Sequence, residues 1–182
     1  MTTQVLQGSD VVDFWRQAGP EKWFAKDELF DRTFHDRFLD QHERAAAGEL
    51  GDWLNQPYSA LALLLLLDQF PRNCFRGTQR VCATDPLARQ VARKALAAGF
   101  DEHVDRDLRV FFYLPFSHSE DLADQEVALA KNKALGAPYL QHAQGHHDIV
   151  RTFGRFPHRN EIFGRETTQA EREFLDNGGF KG

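Results

Sequence analysis

The sequence predicts an all-α protein, and three observations carry that prediction. Phe30, Phe34 and Phe38 recur every four residues among charged neighbours, which lays one apolar stripe along a helix. ALALLLLL at residues 60–67 is apolar on every side yet far short of the ~20 residues that span a bilayer, so it reads as a buried central helix. No run of β-branched residues alternating with polar ones occurs anywhere in the chain. No low-complexity linker divides it either, so the expectation is one all-helical domain over residues 1–182, with about eight helices joined by short loops.

The elements follow in order. Ser9 is placed to cap a first helix through DVVDFWRQ, which Gly19-Pro20 ends. Asp27 caps the next, ELFDRTFHDRFLDQHERAAA, which stops at Gly48. A short segment around Trp53 and Leu54 follows, and Ser59 then opens ALALLLLLDQF. Asp85 before Pro86 joins a capping carboxylate to a proline at the first helical position, and that helix ends at Gly99. VFFYL could be a strand, but it lacks any partner strand, so residues 106–114 read as helix. SEDLADQEVALAKNKAL and PYLQHAQGHHDIVRTF supply two more helices. Thr168 with Glu171 three residues on forms a capping box for the last, QAEREFLD.

Composition narrows the function classes. A net charge of −5 and a pI near 5.9 give no global field that would favour nucleic acid or an anionic membrane. The cations are lopsided, however, with 16 Arg against 6 Lys. Arginine is suited to planar, bidentate recognition of carboxylate and phosphate; codon usage is the competing explanation. Cys74 and Cys82 have neither a disulfide framework nor metal spacing, and MTTQVLQGSDVVDFW lacks the basic and apolar regions of a leader. A soluble protein of the reducing cytosol is expected, without cofactor or membrane association.

Two stretches echo one another. Residues 70–78 read FPRNCFRGT and residues 156–167 read FPHRNEIFGRET. Pro71 and Pro157 are expected to push the preceding Phe out of helical geometry, so each stretch reads as the exit of an apolar helix. Asn73 and Asn160 suit loop backbone, and Gly77 and Gly164 suit tight turns. Around them stand Arg72, Arg76, Arg80, Arg151, Arg155, Arg159 and Arg165, with His158. Partners within the chain are available in Asp68, Asp85, Glu161 and Glu166; a ligand carboxylate or phosphate is the other candidate. The predicted ligand-binding set is Arg72, Asn73, Arg76, Arg155, Arg159, Asn160 and Arg165, on two loops that converge on one anion-binding surface. A third segment, LPFSHSEDL at 114–122, contributes His118 and Glu120 where Pro115 should break the chain, and Ser117 or Ser119 can cap the helix that follows. His118, Glu120 and His158 are the catalytic candidates, as general acids or bases.

LLLLDQFPRNCFRGT, FYLPFSHSEDLADQ and RTFGRFPHRNEIFGRETT together resemble a bacterial family catalogued only as a domain of unknown function (number 924). VVDFW, the WF at 23–24 and GEL at 48–50 fit its N-terminal pattern, so the resemblance covers nearly the whole chain. It implies a tetratricopeptide-like helical arrangement and supplies no activity, substrate or cofactor. His146 is matched to the single His that precedes the second Phe-Pro motif in that family, and His147 is left open.

Other signals fail. His142 and His146 share a helical face, but the residues between them lack the Glu of a zincin motif and no third ligand is placed nearby, so no metal is expected. Nucleotide-binding and nucleophile-elbow motifs do not occur. Trp15, Trp23 and Trp53 read as core. Three readings remain: a module that binds an anionic small molecule or peptide carboxylate, an enzyme using the histidines and Glu120 in the same cleft, and a protein-interaction scaffold whose arginines sit in structural ion pairs. Binding is preferred over catalysis, because no residue pair has the spacing of a known catalytic set.

Overall fold

A computed structural model describes residues 6–182; the first five, part of the stretch read as lacking a leader, lie outside the described residues. Among the described residues there are helices and turns but no strand, and no helix is long and apolar enough to cross a membrane. Two compact units divide the chain. The first takes residues up to Arg76 with Arg80–Pro115, and the second takes Gly77–Gln79 with Phe116–Gly182.

The first unit contains α1 (Gly8–Ala18), α2 (Pro20–Trp23), α3 (Glu28–Ala46), α4 (Pro57–Leu64), α5 (Phe70–Cys74) and α6 (Asp85–Ala97). The unit boundary falls inside α7 (Val110–Ser117), so VFFYL is helical, as expected. Asp27 caps α3 by accepting from the Phe30 N–H at 3.0 Å. Gln7, not Ser9, caps α1, in a reciprocal box with Asp10. The phenylalanine stripe of α3 meets α1 and α5: Phe14 stacks on Phe30 at 5.3 Å, and Phe34 meets Phe70 edge-on at 5.1 Å. Trp15 and Trp23 are buried, and Trp53 is half-buried. α1 lies close to α4 because Gly8 has no side chain; a Cβ there would stand 3.2 Å from the Ser59 Cα.

Leu61 and Leu64–Leu66 are fully enclosed, which makes the α4 region the core of this unit. Leu64, at 0% exposure, is the cleanest probe. Leu64→Ala is expected to destabilise the protein by about 2–5 kcal/mol, the sum of lost transfer energy and residual cavity. Urea melts check this, and a loss under about 1 kcal/mol would contradict the enclosure.

One expectation is corrected here. Pro71 does not end a helix, because Phe70 keeps helical dihedrals (φ −53°, ψ −50°) and α5 runs on to Cys74. A π-turn over Leu65–Gln69 is the reason. Proline removes one backbone bond and crowds the carbonyl four residues back, and the wider turn relieves both problems. The carbonyls around it find side-chain donors instead. His42 Nδ1 bonds the Leu66 oxygen at 2.8 Å, Thr84 Oγ1 donates to Leu67 at 2.5 Å, and Arg72 donates to Asp68 at 3.0 Å. Three consecutive carbonyls are thereby satisfied within the buried core.

The second unit contains α8 (Leu122–Leu135), α9 (Tyr139–Phe153) and α10 (Gln169–Asp176). α8 and α9 pack along one another, while Ile149, Val150 and Phe156 form a small core with Phe153 and Phe174 against it. α9 stops at Gly154, whose left-handed φ of 70° suits a residue without Cβ. The capping box of Thr168 and Glu171 is present on α10 as predicted.

Candidate functional site

The site in the second unit is built from three segments. The first leaves α7, whose Pro115 sits inside the helix; the chain breaks only after Ser117, not at the proline as expected. Buried Gln125 pins this exit by donating to the carbonyls of Ser117 at 2.8 Å and Ser119 at 2.6 Å. Neither serine caps α8. Asp121 does so, while Ser119 donates to Asp124 at 2.7 Å. His118 and Glu120 are thereby fixed on a short, internally bonded loop.

The second segment is FPHRNEIFGRET. Here the proline behaves as predicted: Phe156 is extended, and Pro157 starts a single 3-10 turn over Pro157–Arg159. Gly164 turns the loop at φ 62°, whereas neither Asn73 nor Asn160 uses a positive φ. Glu120 reaches this loop and closes it. Its carboxylate accepts two bonds from Arg165, at 2.8 and 3.0 Å, and one from the Phe156 N–H at 2.8 Å. Burial alone would raise the Glu120 pKa, but these donors hold it below its ordinary value. Glu171 has the same part on the other side of the loop. It is 2% exposed and accepts from Arg155 at 2.6 and 2.9 Å and from Asn160 at 3.1 Å. The Arg155 bond, foremost, pulls its pKa down to about 2.

The third segment is α9, which contributes His146. Its ring lies 6.2 Å from His118 and 5.5 Å from Phe156, between centroids. His158 lies 5.7 Å from the same Phe156 ring. Arg159 is 8% exposed; its guanidinium covers the Phe156 face at 4.5 Å and donates to the His118 carbonyl at 2.9 Å. Two imidazoles and a buried guanidinium thus flank one phenylalanine, with His118 next to His146. Burial, then the neighbouring cations, pushes His146 down to about 3 and His158 down to about 4. The Nδ1 atoms of both are buried and find no hydrogen-bond partner among the described residues. His158 also edges an open pocket of about 550 Å³ that it shares with Gly77, Gln79, Glu161 and Ile162.

The remaining predicted residues belong to the first unit, and each is engaged there. Arg72 makes a two-pronged contact with Asp85 at 2.8 and 3.0 Å and lies 3.3 Å from Asp68. Asn73 donates to Asp31 at 2.7 Å, and Arg76 meets the same carboxylate at 3.3 Å. Of the partners foreseen for the arginines, Asp68 and Asp85 engage through their carboxylates and Glu166 offers its backbone oxygen to Arg155, while Glu120, read as a catalytic candidate, pairs with Arg165. Asp31 and Glu171 also serve as partners; each is an acid in the first turn of a helix, Glu171 within its capping box, and such a position gives no sign of a distant arginine. Phe180 also escaped notice as a neighbour of the histidines, because a lone aromatic near a chain's last residues has no sequence signature. No group of three His, Cys, Asp or Glu among the described residues is placed to hold a metal ion. His142 is exposed, and its helical neighbour His146 faces rings.

A family model described as a bacterial protein of unknown function (DUF924) matches residues 11–179. A solved structure of a protein of unknown function from Agrobacterium tumefaciens is 60% identical and superposes with a TM-score of 0.93, over 94% of this chain and 97% of that one. No match is found among curated proteins.

Proposed function

This chain belongs to the bacterial family of unknown function DUF924, and we propose that it binds an anionic group, of a small molecule or a peptide, at His118, His146, His158 and Arg159. One observation carries the reading: the buried Nδ1 atoms of two half-buried imidazoles, His146 and His158, lack partners beside the buried Arg159 guanidinium. The charges facing them are His118, His142, Arg159 and Arg165 on the cationic side and Glu120 on the other, with Glu161 at the pocket rim. Glu120, the carboxylate that faces these groups, is engaged by Arg165. A carboxylate or phosphate ligand would accept hydrogen bonds from the imidazoles and let them take up protons.

The geometry favours binding over catalysis. A general acid must hold a proton near neutral pH, and Glu120 is kept ionised by its arginine. Imidazoles at about 3 and about 4 are weak bases in the unliganded site. The ion pairs of Arg72, Arg155 and Arg165 support the reading in which those arginines hold loops, so the ligand role falls mainly to Arg159 and the histidines.

Proton linkage tests this. Binding of acetate should raise the pKa values of His146 and His158, take up protons, and be tighter at about pH 6 than at about pH 8, because acetate stays ionised across that range while the imidazoles gain protons. Histidine resonances titrated with and without millimolar acetate or phosphate give the answer. Unmoved imidazole pKa values with both anions would refute the site.

A further inference from the structure

The histidine cluster has an aromatic occupant from its own chain. Phe180 lies beyond the end of α10, and its ring stands 4.8 Å from His146 and 5.1 Å from His158, both edge-to-face. Phe156 lies against the same two imidazoles, at 5.5 and 5.7 Å. The turn that delivers Phe180 is specialised. Gly178 has a left-handed φ of 85°, and a Cβ on Gly179 would stand 2.5 Å from the Phe174 ring and carbonyl. Two glycines in succession therefore bend the chain sharply enough to bring Phe180 onto the cluster. The tail continues across His158, where a Cβ on Gly182 would meet Cδ2 and Nε2 at 3.2 and 3.3 Å. Phe180 nevertheless remains 41% exposed, so it rests on the site rather than inside a core.

Resting on the anion-binding reading above, we propose that the Phe180 ring fills an aromatic subsite of that site, and that the ligand is an aromatic carboxylate which displaces it. The geometry that receives Phe180 is specific for a ring. Two imidazole planes stand at 62° and 88° to its ring, the edge-to-face arrangement that the quadrupoles of aromatic pairs favour and an aliphatic chain cannot reproduce. The imidazoles that Phe180 touches, with the buried Arg159 guanidinium of the same cluster, supply what a carboxylate one or two bonds from the ring would bond to. A segment held by ring contacts at an exposed position opens at low cost, so a ligand carrying both groups outcompetes it. The tail lowers apparent affinity by the fraction of time it covers the site.

Acetate and phenylacetate are the probes, since they share a carboxylate and differ by the ring. Each is titrated into wild-type protein, Phe180→Ala and Phe180→Leu, with the His146 and His158 resonances as readout. Phe180→Ala should bind phenylacetate more tightly than wild type by roughly two- to tenfold, the span of one aromatic pair, with acetate affinity unchanged. Phe180→Leu, which keeps apolar cover and guards against a folding defect, should fall between them. In wild type, phenylacetate should abolish the ring contact between Phe180 and His146. If acetate binds but phenylacetate gains nothing from either variant, the aromatic subsite is wrong and the anion site stands. If both probes gain equally, Phe180 is a general cover and the subsite is again wrong. If neither probe shifts the imidazoles in any variant, the anion site and the subsite fall together.

Discussion

Replacing Arg72 with alanine is expected to destabilise the protein by about 3–5 kcal/mol, the usual result of removing one member of a buried ion pair. Its guanidinium serves two carboxylates and a carbonyl at once: Asp85 at 2.8 and 3.0 Å, Asp68 at 3.3 Å and the Asp68 oxygen at 3.0 Å. The carboxylate side chains are 2% and 7% exposed, so neither can recover its solvation when the arginine is gone. Burial opposes the charge on Arg72, yet the two aspartates hold its pKa above the ordinary value, so the pair stays ionised. The change would also free the Asp68 carbonyl next to the π-turn. Arg72→Lys should recover only part of the loss, because an ammonium cannot reproduce the two-pronged contact with Asp85. Arg80 and Glu43 provide the control. Both are 53% exposed, and Arg80→Ala should cost under about 1 kcal/mol. Urea melts of the three variants decide. A loss under about 1 kcal/mol in Arg72→Ala would mean that this arginine is free for a ligand.

Stability should fall steeply as the pH drops from about 6.5 toward 4. His146 and His158 have folded pKa values of about 3 and about 4, well below the 6.5 of an unfolded histidine. The unfolded chain therefore takes up protons that the folded chain refuses, and stability is lost from about pH 6.5 downward until the folded values are reached. Each such histidine contributes a slope of at most about 1.4 kcal/mol per pH unit within its window. His42, buried on Phe70 in the first unit, is lowered too and adds to the same window. Glu171 and Glu120 act at lower pH. Their folded values are depressed, so their contribution is complete above about 4.5 and is lost as the pH falls through about 2 for Glu171. His146→Gln should flatten the slope between pH 6.5 and 4 while leaving the drop below 4 in place. Thermal melts across this range check both points, and an unchanged slope in His146→Gln would show that this imidazole titrates normally in the folded protein.

Much of the fold was legible because its signals are local. The Asp27 cap, the phenylalanine stripe of α3, the stop at Gly154 and the Thr168–Glu171 box each depend on residues within a turn or two. Burial of ALALLLLL follows from composition alone, since no helix face is left to solvate. The sequence by itself therefore determined an all-α chain and the caps at Asp27 and Thr168, whereas Ser9, Ser59 and Asp85 do not cap their helices, because Gln7, Gln56 and Thr84 hold those positions. It also raised the right question about the two Phe-Pro stretches, while suggesting one answer for both.

Tertiary structure gave the two prolines different outcomes. Pro71 continues a helix because His42 and Thr84, 24 and 17 residues from the carbonyls they serve, satisfy what the π-turn releases. Pro157 has no such turn before it; the chain bends at Gly154, Phe156 is extended, and Pro157 opens a single 3-10 turn. The fate of each arginine was likewise decided at a distance. Arg72 finds Asp85 thirteen residues away, and Arg165 finds Glu120 forty-five away, whereas sequence shows only that acids exist somewhere. The meeting of His118, His146, His158 and Phe180 depends on the same kind of long-range placement. A residue's type fixes what it can bond, but burial and neighbouring charge fix whether it is ionised and what remains for a ligand; both are properties of the folded packing.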